Sequence, residues 1–151
     1  KSALCLIVGA VPGALPPVTG WVAARGEFGV GGWVLFGILF LWQLPHTLAI
    51  ARLYREDYAR GGIRLLPANR AAADVQALAG CLALLLVGVL PTLIGLTRQV
   101  YLFGALALGM GLLGSGVLGA LSPSLTAARR LLFASLLYLP TLLILMTLDK
   151  A

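Results

Sequence analysis

His46 is the sole histidine in 151 residues, and it follows Pro45 within a stretch, 28–51, that carries no charge. An ionisable ring in such a setting points to function, because a polar group without partners in an apolar medium costs several kcal/mol. Pro45 has no N–H to offer the Leu41 carbonyl, so a kink is expected just before the imidazole. Two readings of His46 stay open: contact with a substrate, or a hydrogen bond to a carbonyl exposed by that kink. A single histidine excludes multi-histidine metal sites and dinuclear centres.

The second concentration of reactive groups is Arg52-Leu-Tyr-Arg-Glu-Asp-Tyr-Ala-Arg60, followed by Gly61, Gly62 and Arg64. Its carboxylates could hold a hard divalent cation such as magnesium, and Arg52, Arg55 and Arg60 are candidates for bidentate contact with phosphate oxygens. Magnesium often takes only one or two protein carboxylates and completes its shell with water and the substrate's phosphates. Such a set suits departure of diphosphate, whose developing charge a metal and arginines neutralise. The alternative is a basic loop whose acids pair with its own arginines. Adjacent helical positions point about 100° apart, so only one of Glu56 and Asp57 can face a given site. If one helix runs through, His46, Leu53 and Asp57 share a face about 16 Å long.

The elements that must position these groups are membrane spans. The chain is 60% hydrophobic and 11% charged, against about 25% charged in soluble domains; its mean hydropathy is +1.01. Residues 2–24, 28–51, 75–97, 99–128 and 131–148 contain no charge. A bilayer core needs about 20 apolar residues per helix, so these are five candidate spans with short loops between them. The fold class expected is an all-α polytopic membrane helix bundle, one domain over 1–151. The first span holds Gly9, Pro12, Gly13, Pro16, Pro17 and Gly20, so it should be broken or kinked and face other helices or a cavity. The Gly9/Gly13 spacing, and Gly111, Ser115 and Gly119 further on, read as small-residue packing surfaces. Cys5 and Cys81 read as inert buried thiols.

If the spans alternate, Lys1, the 52–74 segment and 122–130 share one side with eight of the eleven basic residues, leaving Arg25, Arg98 and Lys150 opposite. The positive-inside bias puts the 52–74 loop on the cytoplasmic or matrix side. A net charge of +6 in a chain without a soluble domain argues against nucleic-acid binding. A cleaved signal peptide is not expected, because apolar segments recur to the C-terminus and no small-residue cleavage site follows a short first one. No Walker-type loop, G-x-S-x-G elbow, Ser/His/Asp set or arginine ladder of a voltage sensor is present.

Gly13-Ala-Leu-Pro-Pro17 with Gly20-Trp21, Trp42-Gln-Leu-Pro-His46, Asp57-Tyr-Ala-Arg-Gly-Gly62 and Leu66-Pro67 occur in that order. Together they resemble the protoheme IX farnesyltransferases (heme O synthases), membrane prenyltransferases related to 4-hydroxybenzoate polyprenyltransferase. The resemblance implies a nine-helix bundle, of which these spans match the C-terminal five. It further implies farnesyl transfer from farnesyl diphosphate to a vinyl group of heme b, giving heme O for heme A biosynthesis. Asp57 with Tyr58 stands where that family's second acidic motif belongs, with magnesium on Asp57. Trp42, Gln43 and His46 then fall to substrate binding with Arg52, Arg55 and Arg60. Heme A synthase is a candidate partner, and the membrane implied is the bacterial cytoplasmic or mitochondrial inner membrane.

The chain departs from the pattern at Thr47, where an aromatic is usual, and at Arg64-Leu65, where Pro-Met is common. The first acidic motif is absent and the chain begins with Lys1. A C-terminal portion, inactive alone, is therefore expected. Two alternatives remain: prenyl transfer to another acceptor such as a quinone precursor, and a transporter or structural subunit whose broken first helix lines a path.

Overall fold

The computed structural model describes residues 4–62, 69–122 and 124–151, with side chains described from Val8 onward. Lys1, the Cys5 side chain, Arg64, Leu65, Leu66 and Pro67 lie outside the described residues. The helices are α1 (Leu4–Gly13), α2 (Leu15–Arg25), α3 (Gly29–Leu53), α4 (Arg55–Arg60), α5 (Arg70–Gly88), α6 (Leu90–Leu93), α7 (Gln99–Leu121) and α8 (Leu125–Leu148).

Four segments are long and apolar enough to cross a membrane: Gly29–Leu53, Arg70–Leu93, Gln99–Leu121 and Leu125–Leu148. They form a closed ring in which α3 packs on α5 and α8, and α7 completes the circuit between them. The first charge-free stretch is broken, as its prolines require. α1 contains Pro12, and α2 begins on the Pro16-Pro17 pair, with Ala14 between the two helices. Pro16 and Pro17 cannot donate to the Pro12 and Gly13 carbonyls, so the helix cannot run through. The two pieces lie antiparallel along α3: Trp21 sits against Gly31 and Gly32, and Gln43 against Gly13.

The second break is at Val89, between α5 and α6, two residues before Pro91. There the Thr92 N–H bonds to the Val89 carbonyl, and the Tyr101 hydroxyl donates to the Gly88 carbonyl at 2.9 Å. Tyr101 is fully buried. A phenol on α7 thus satisfies a carbonyl that the interrupted α5 leaves without its usual donor.

The loops sort into two ends. At one, Arg98 donates its N–H to the Asp149 carbonyl, Ala151 to the Leu96 carbonyl, and the Asp149 carboxylate caps α7 through the Tyr101 N–H at 2.7 Å. At the other, Arg52, Arg70 and Asp74 meet, and Arg70 reaches the Ala120 carbonyl. This is the alternation expected from the charges, with 52–74 and the α7–α8 turn at a common end. Asn69 and Ser124 cap α5 and α8 by accepting from the N–H groups of Ala72 and Ala127. Those caps add a polar first turn to each helix, so both start before the apolar runs do.

Small-residue packing in α7 follows expectation at Gly119, which is buried against Ala127, and departs from it at Gly111. A Cβ at Gly111 would meet nothing within 4 Å, whereas one at Gly104 would strike Leu145 and one at Gly109 would strike Leu85. The buried face is Tyr101, Ala105, Gly109, Leu112, Gly116 and Gly119. Gly111 lies two positions from Gly109, about 200° around the helix, and so faces outward. In α1 the same holds for Gly9, while Gly13 makes the close approach.

Candidate functional site

The Trp42-Gln-Leu-Pro-His46 element lies within α3, and its side chains reach three other helices. The Trp42 indole N–H donates to the Ser135 carbonyl of α8 at 2.7 Å. The His46 Nδ1 stands 2.9 Å from the Ser135 hydroxyl, and that hydroxyl is 2.7 Å from the Leu132 carbonyl. The two rings stack, with centroids 4.5 Å apart and planes inclined by 20°; one helical turn separates their positions. Gln43 turns toward α1, donating to the Ala10 carbonyl at 3.2 Å and to the Leu39 carbonyl of its own helix at 3.1 Å. Any side chain at Gly13 would collide with its amide.

Pro45 is buried, and its ring packs on Gly80 of α5, where a Cβ would come within 3.1 Å of Cδ. α3 continues through Pro45 to Leu53. His46 therefore does not serve a carbonyl freed by the proline: its partner is a hydroxyl on α8. Its Nε2 has no hydrogen bond among the described residues. It is also not among the buried unpartnered atoms, of which Trp21 Nε1 is the one described.

The basic segment is arranged differently from the single helix face expected. α3 ends at Leu53, Tyr54 takes φ −108° and ψ 31°, and α4 carries Arg55, Glu56, Asp57, Tyr58 and Arg60. Neither proline nor glycine causes the break. It falls where α3 leaves the bundle: Arg52 is held by a neighbouring helix, and Tyr54 through Asp57 are exposed. His46 lies seven residues before Leu53, about 10 Å deeper along the axis. His46 and Asp57 thus share no continuous face.

Arg52 binds Asp74 of α5 at 2.5 Å, and Arg70 reaches the other carboxylate oxygen at 3.4 Å. Asp74 escaped the sequence reading because it stands outside the acidic pair; its place four residues after Arg70 was the available signal. Arg55, Glu56, Asp57 and Arg60 are exposed and Tyr58 half-buried. Among the described residues neither acid of α4 forms an ion pair. Ser135 is the other residue that the sequence reading missed. A serine in an apolar helix carries no signal of its own until α3 and α8 are brought together.

No group of three or more His, Cys, Asp or Glu side chains converges among the described residues. Glu56 and Asp57 are exposed carboxylates at adjacent positions of α4, so one of the two at most can face a given point. Cys81 is buried and unpaired in the core against α7, beside Gly116.

Comparison with known proteins identifies the family. The UbiA prenyltransferase family model matches residues 1–143. The protoheme IX farnesyltransferase of Solibacter usitatus is 49% identical over 147 residues, covering 95% of this chain and 50% of the relative. That of Salinibacter ruber is 42% identical over 148 residues, with 95% and 52% covered. That of Anaeromyxobacter sp. is 41% identical over 146 residues, with 95% and 49% covered. The chain spans about half the length of these relatives. No solved structure matches it. Apolar spans arranged in a ring, an α4 turn bearing carboxylates and guanidinium groups, and a family match over nearly the whole chain lead to one conclusion: the chain belongs to the UbiA prenyltransferase family.

Proposed function

We propose that residues 1–151 form the C-terminal portion of a protoheme IX farnesyltransferase, which transfers farnesyl from farnesyl diphosphate to a vinyl group of heme b and yields heme O. The observation that carries this reading is the 49% identity over 147 residues to a relative of that name. The separation of two chemical settings on α3 supports it. Beyond the end of α3, Asp57, Arg55 and Arg60 are exposed to a polar phase, and about 10 Å deeper the Trp42–His46 pair lines an apolar setting. A prenyl diphosphate has a charged head and an apolar chain, and heme pairs a flat apolar ring with a metal and two carboxylates.

In the reaction the allylic C–O bond of farnesyl diphosphate breaks with its electron pair on diphosphate, the vinyl π electrons form the new C–C bond, and water adds to the carbocation left beside the heme ring, losing a proton and leaving a hydroxyl there. Arg55 and Arg60 bind diphosphate oxygens and lower the cost of the charge they gain. Asp57 would hold magnesium, whose contribution is counter-charge on the leaving diphosphate. Arg52, engaged by Asp74, fixes the end of α3 from which α4 departs. Tyr58 stands on the same turn. Trp42 and His46 orient the heme acceptor, and Gln43 holds α1 against α3 beside them. The 52–74 loop faces the cytoplasm or matrix, in a bacterial cytoplasmic or mitochondrial inner membrane, and heme A synthase receives the product.

The test is His46→Ala in the complete protein, with heme and farnesyl diphosphate affinities measured separately. Heme binding should weaken while farnesyl diphosphate binding stays at the parent value. Equal heme binding by variant and parent contradicts this assignment of His46.

A further inference from the structure

Ser135 offers both of its oxygens to the α3 element, and the direction of each hydrogen bond can be worked out. Its hydroxyl has one hydrogen. The Leu132 carbonyl, 2.7 Å away, can only accept, so that hydrogen is committed to it. The remaining contact, 2.9 Å to His46 Nδ1, then requires the imidazole to donate. A neutral ring that donates from Nδ1 carries its lone pair on Nε2, the nitrogen without a partner among the described residues. The Ser135 backbone carbonyl meanwhile accepts from Trp42, whose indole stacks on the same imidazole. One α8 residue therefore fixes both the protonation pattern and the plane of the ring.

We propose that Ser135 is the positioning residue for His46: its hydroxyl holds the imidazole as the Nδ1–H tautomer and so presents Nε2 as a lone-pair donor to the heme acceptor. The tautomer assignment stands on geometry alone, while its use toward heme rests on the role proposed for His46 above. Partners of this kind set the basicity and orientation of a histidine that ligates a metal, and their loss typically weakens metal affinity by about 10- to 100-fold.

The experiment uses the complete protein labelled with ¹⁵N-histidine. The His46 ring signals are assigned by their loss in His46→Asn and recorded well above the ordinary titration range of imidazole. The parent should show a protonated Nδ1 and an unprotonated Nε2. Ser135→Ala should abolish that pattern in favour of the Nε2–H form or a mixture, and Ser135→Thr, which keeps the hydroxyl, should restore it. Both variants leave the backbone carbonyl that Trp42 uses, so the indole environment serves as the control for folding. A parent already in the Nε2–H form, or a Ser135→Ala spectrum identical to the parent's, overturns the proposal. Heme titrations of the same samples separate the two claims. Ser135→Ala should bind heme about 10- to 100-fold more weakly and Ser135→Thr near the parent value. If His46→Ala binds heme normally while the tautomer still depends on Ser135, the heme reading fails and the positioning stands. If Ser135→Ala shifts the tautomer without weakening heme binding in a protein that needs His46, the functional half of this proposal is overturned.

Discussion

Removing the Asp74 carboxylate should destabilise the protein by about 3 kcal/mol, which follows from how deeply its ion pair lies. Arg52 and Asp74 keep only 20% and 13% of their side-chain exposure. Breaking a fully buried pair by deleting one partner costs about 3–5 kcal/mol, because the other charge is left uncompensated. An exposed pair is worth about 0–1 kcal/mol. The Arg52–Asp74 pair belongs near the lower end of the buried range. Arg70, whose side chain is 54% exposed, adds no more than about 0.5 kcal/mol as a partner four residues away on the same helix. The assay is denaturant unfolding of the complete protein in mixed micelles for Asp74→Ala, Arg52→Leu and Asp74→Ala/Arg52→Leu. The double variant should recover most of the loss, because apolar replacement of a whole buried pair is close to neutral. Losses under about 1 kcal/mol for Asp74→Ala, or single-variant losses that simply add in the double, would refute the reasoning. Because this pair holds the end of α3, Asp74→Ala should also weaken farnesyl diphosphate binding and leave heme binding intact.

Asp57→Asn should lower farnesyl transfer by about 10²–10³ and raise the magnesium concentration required, with Glu56→Gln nearer the parent; the reverse ranking in a magnesium titration would mark Glu56 as the ligand. Tyr101→Phe should cost about 1–3 kcal/mol in the same unfolding assay by stranding the Gly88 carbonyl. Tyr138→Phe should cost less, since its 3.5 Å contact with the Leu84 carbonyl is at the limit of a hydrogen bond. Gly80→Val should lose about 1–3 kcal/mol by overpacking against Pro45, and a neutral result there would show that the α3–α5 contact is looser than described.

Much of this architecture is legible in the sequence, because a bilayer restricts the choices so strongly. Charge-free runs of the right length locate α3, α5, α7 and α8, and the proline series locates the break between α1 and α2. The positions of the arginines sort the loops into the two ends that the helices then occupy. Contacts between residues far apart in the chain are not legible in that way. Ser135 is 89 residues from His46 and has no local pattern that marks it as a partner. Asp149 caps α7 from 48 residues away, and the Tyr101 hydroxyl serves a carbonyl on a different helix. The stop at Tyr54 was equally hidden, since local residues give no helix-breaking signal and the cause is where packing ends. Spacing alone also did not separate the packing glycines of α7: Gly119 packs inward and Gly111 faces outward, because which stripe faces inward depends on the neighbours.

The central claim, that heme is the prenyl acceptor, is tested most directly by product mass. The complete protein, in detergent with magnesium and farnesyl diphosphate, is offered heme b and 4-hydroxybenzoate together, and both acceptors are analysed for an added farnesyl group. The adduct should appear on heme b, be lost in Asp57→Asn and be absent from 4-hydroxybenzoate. Farnesylated 4-hydroxybenzoate with unmodified heme b would contradict it.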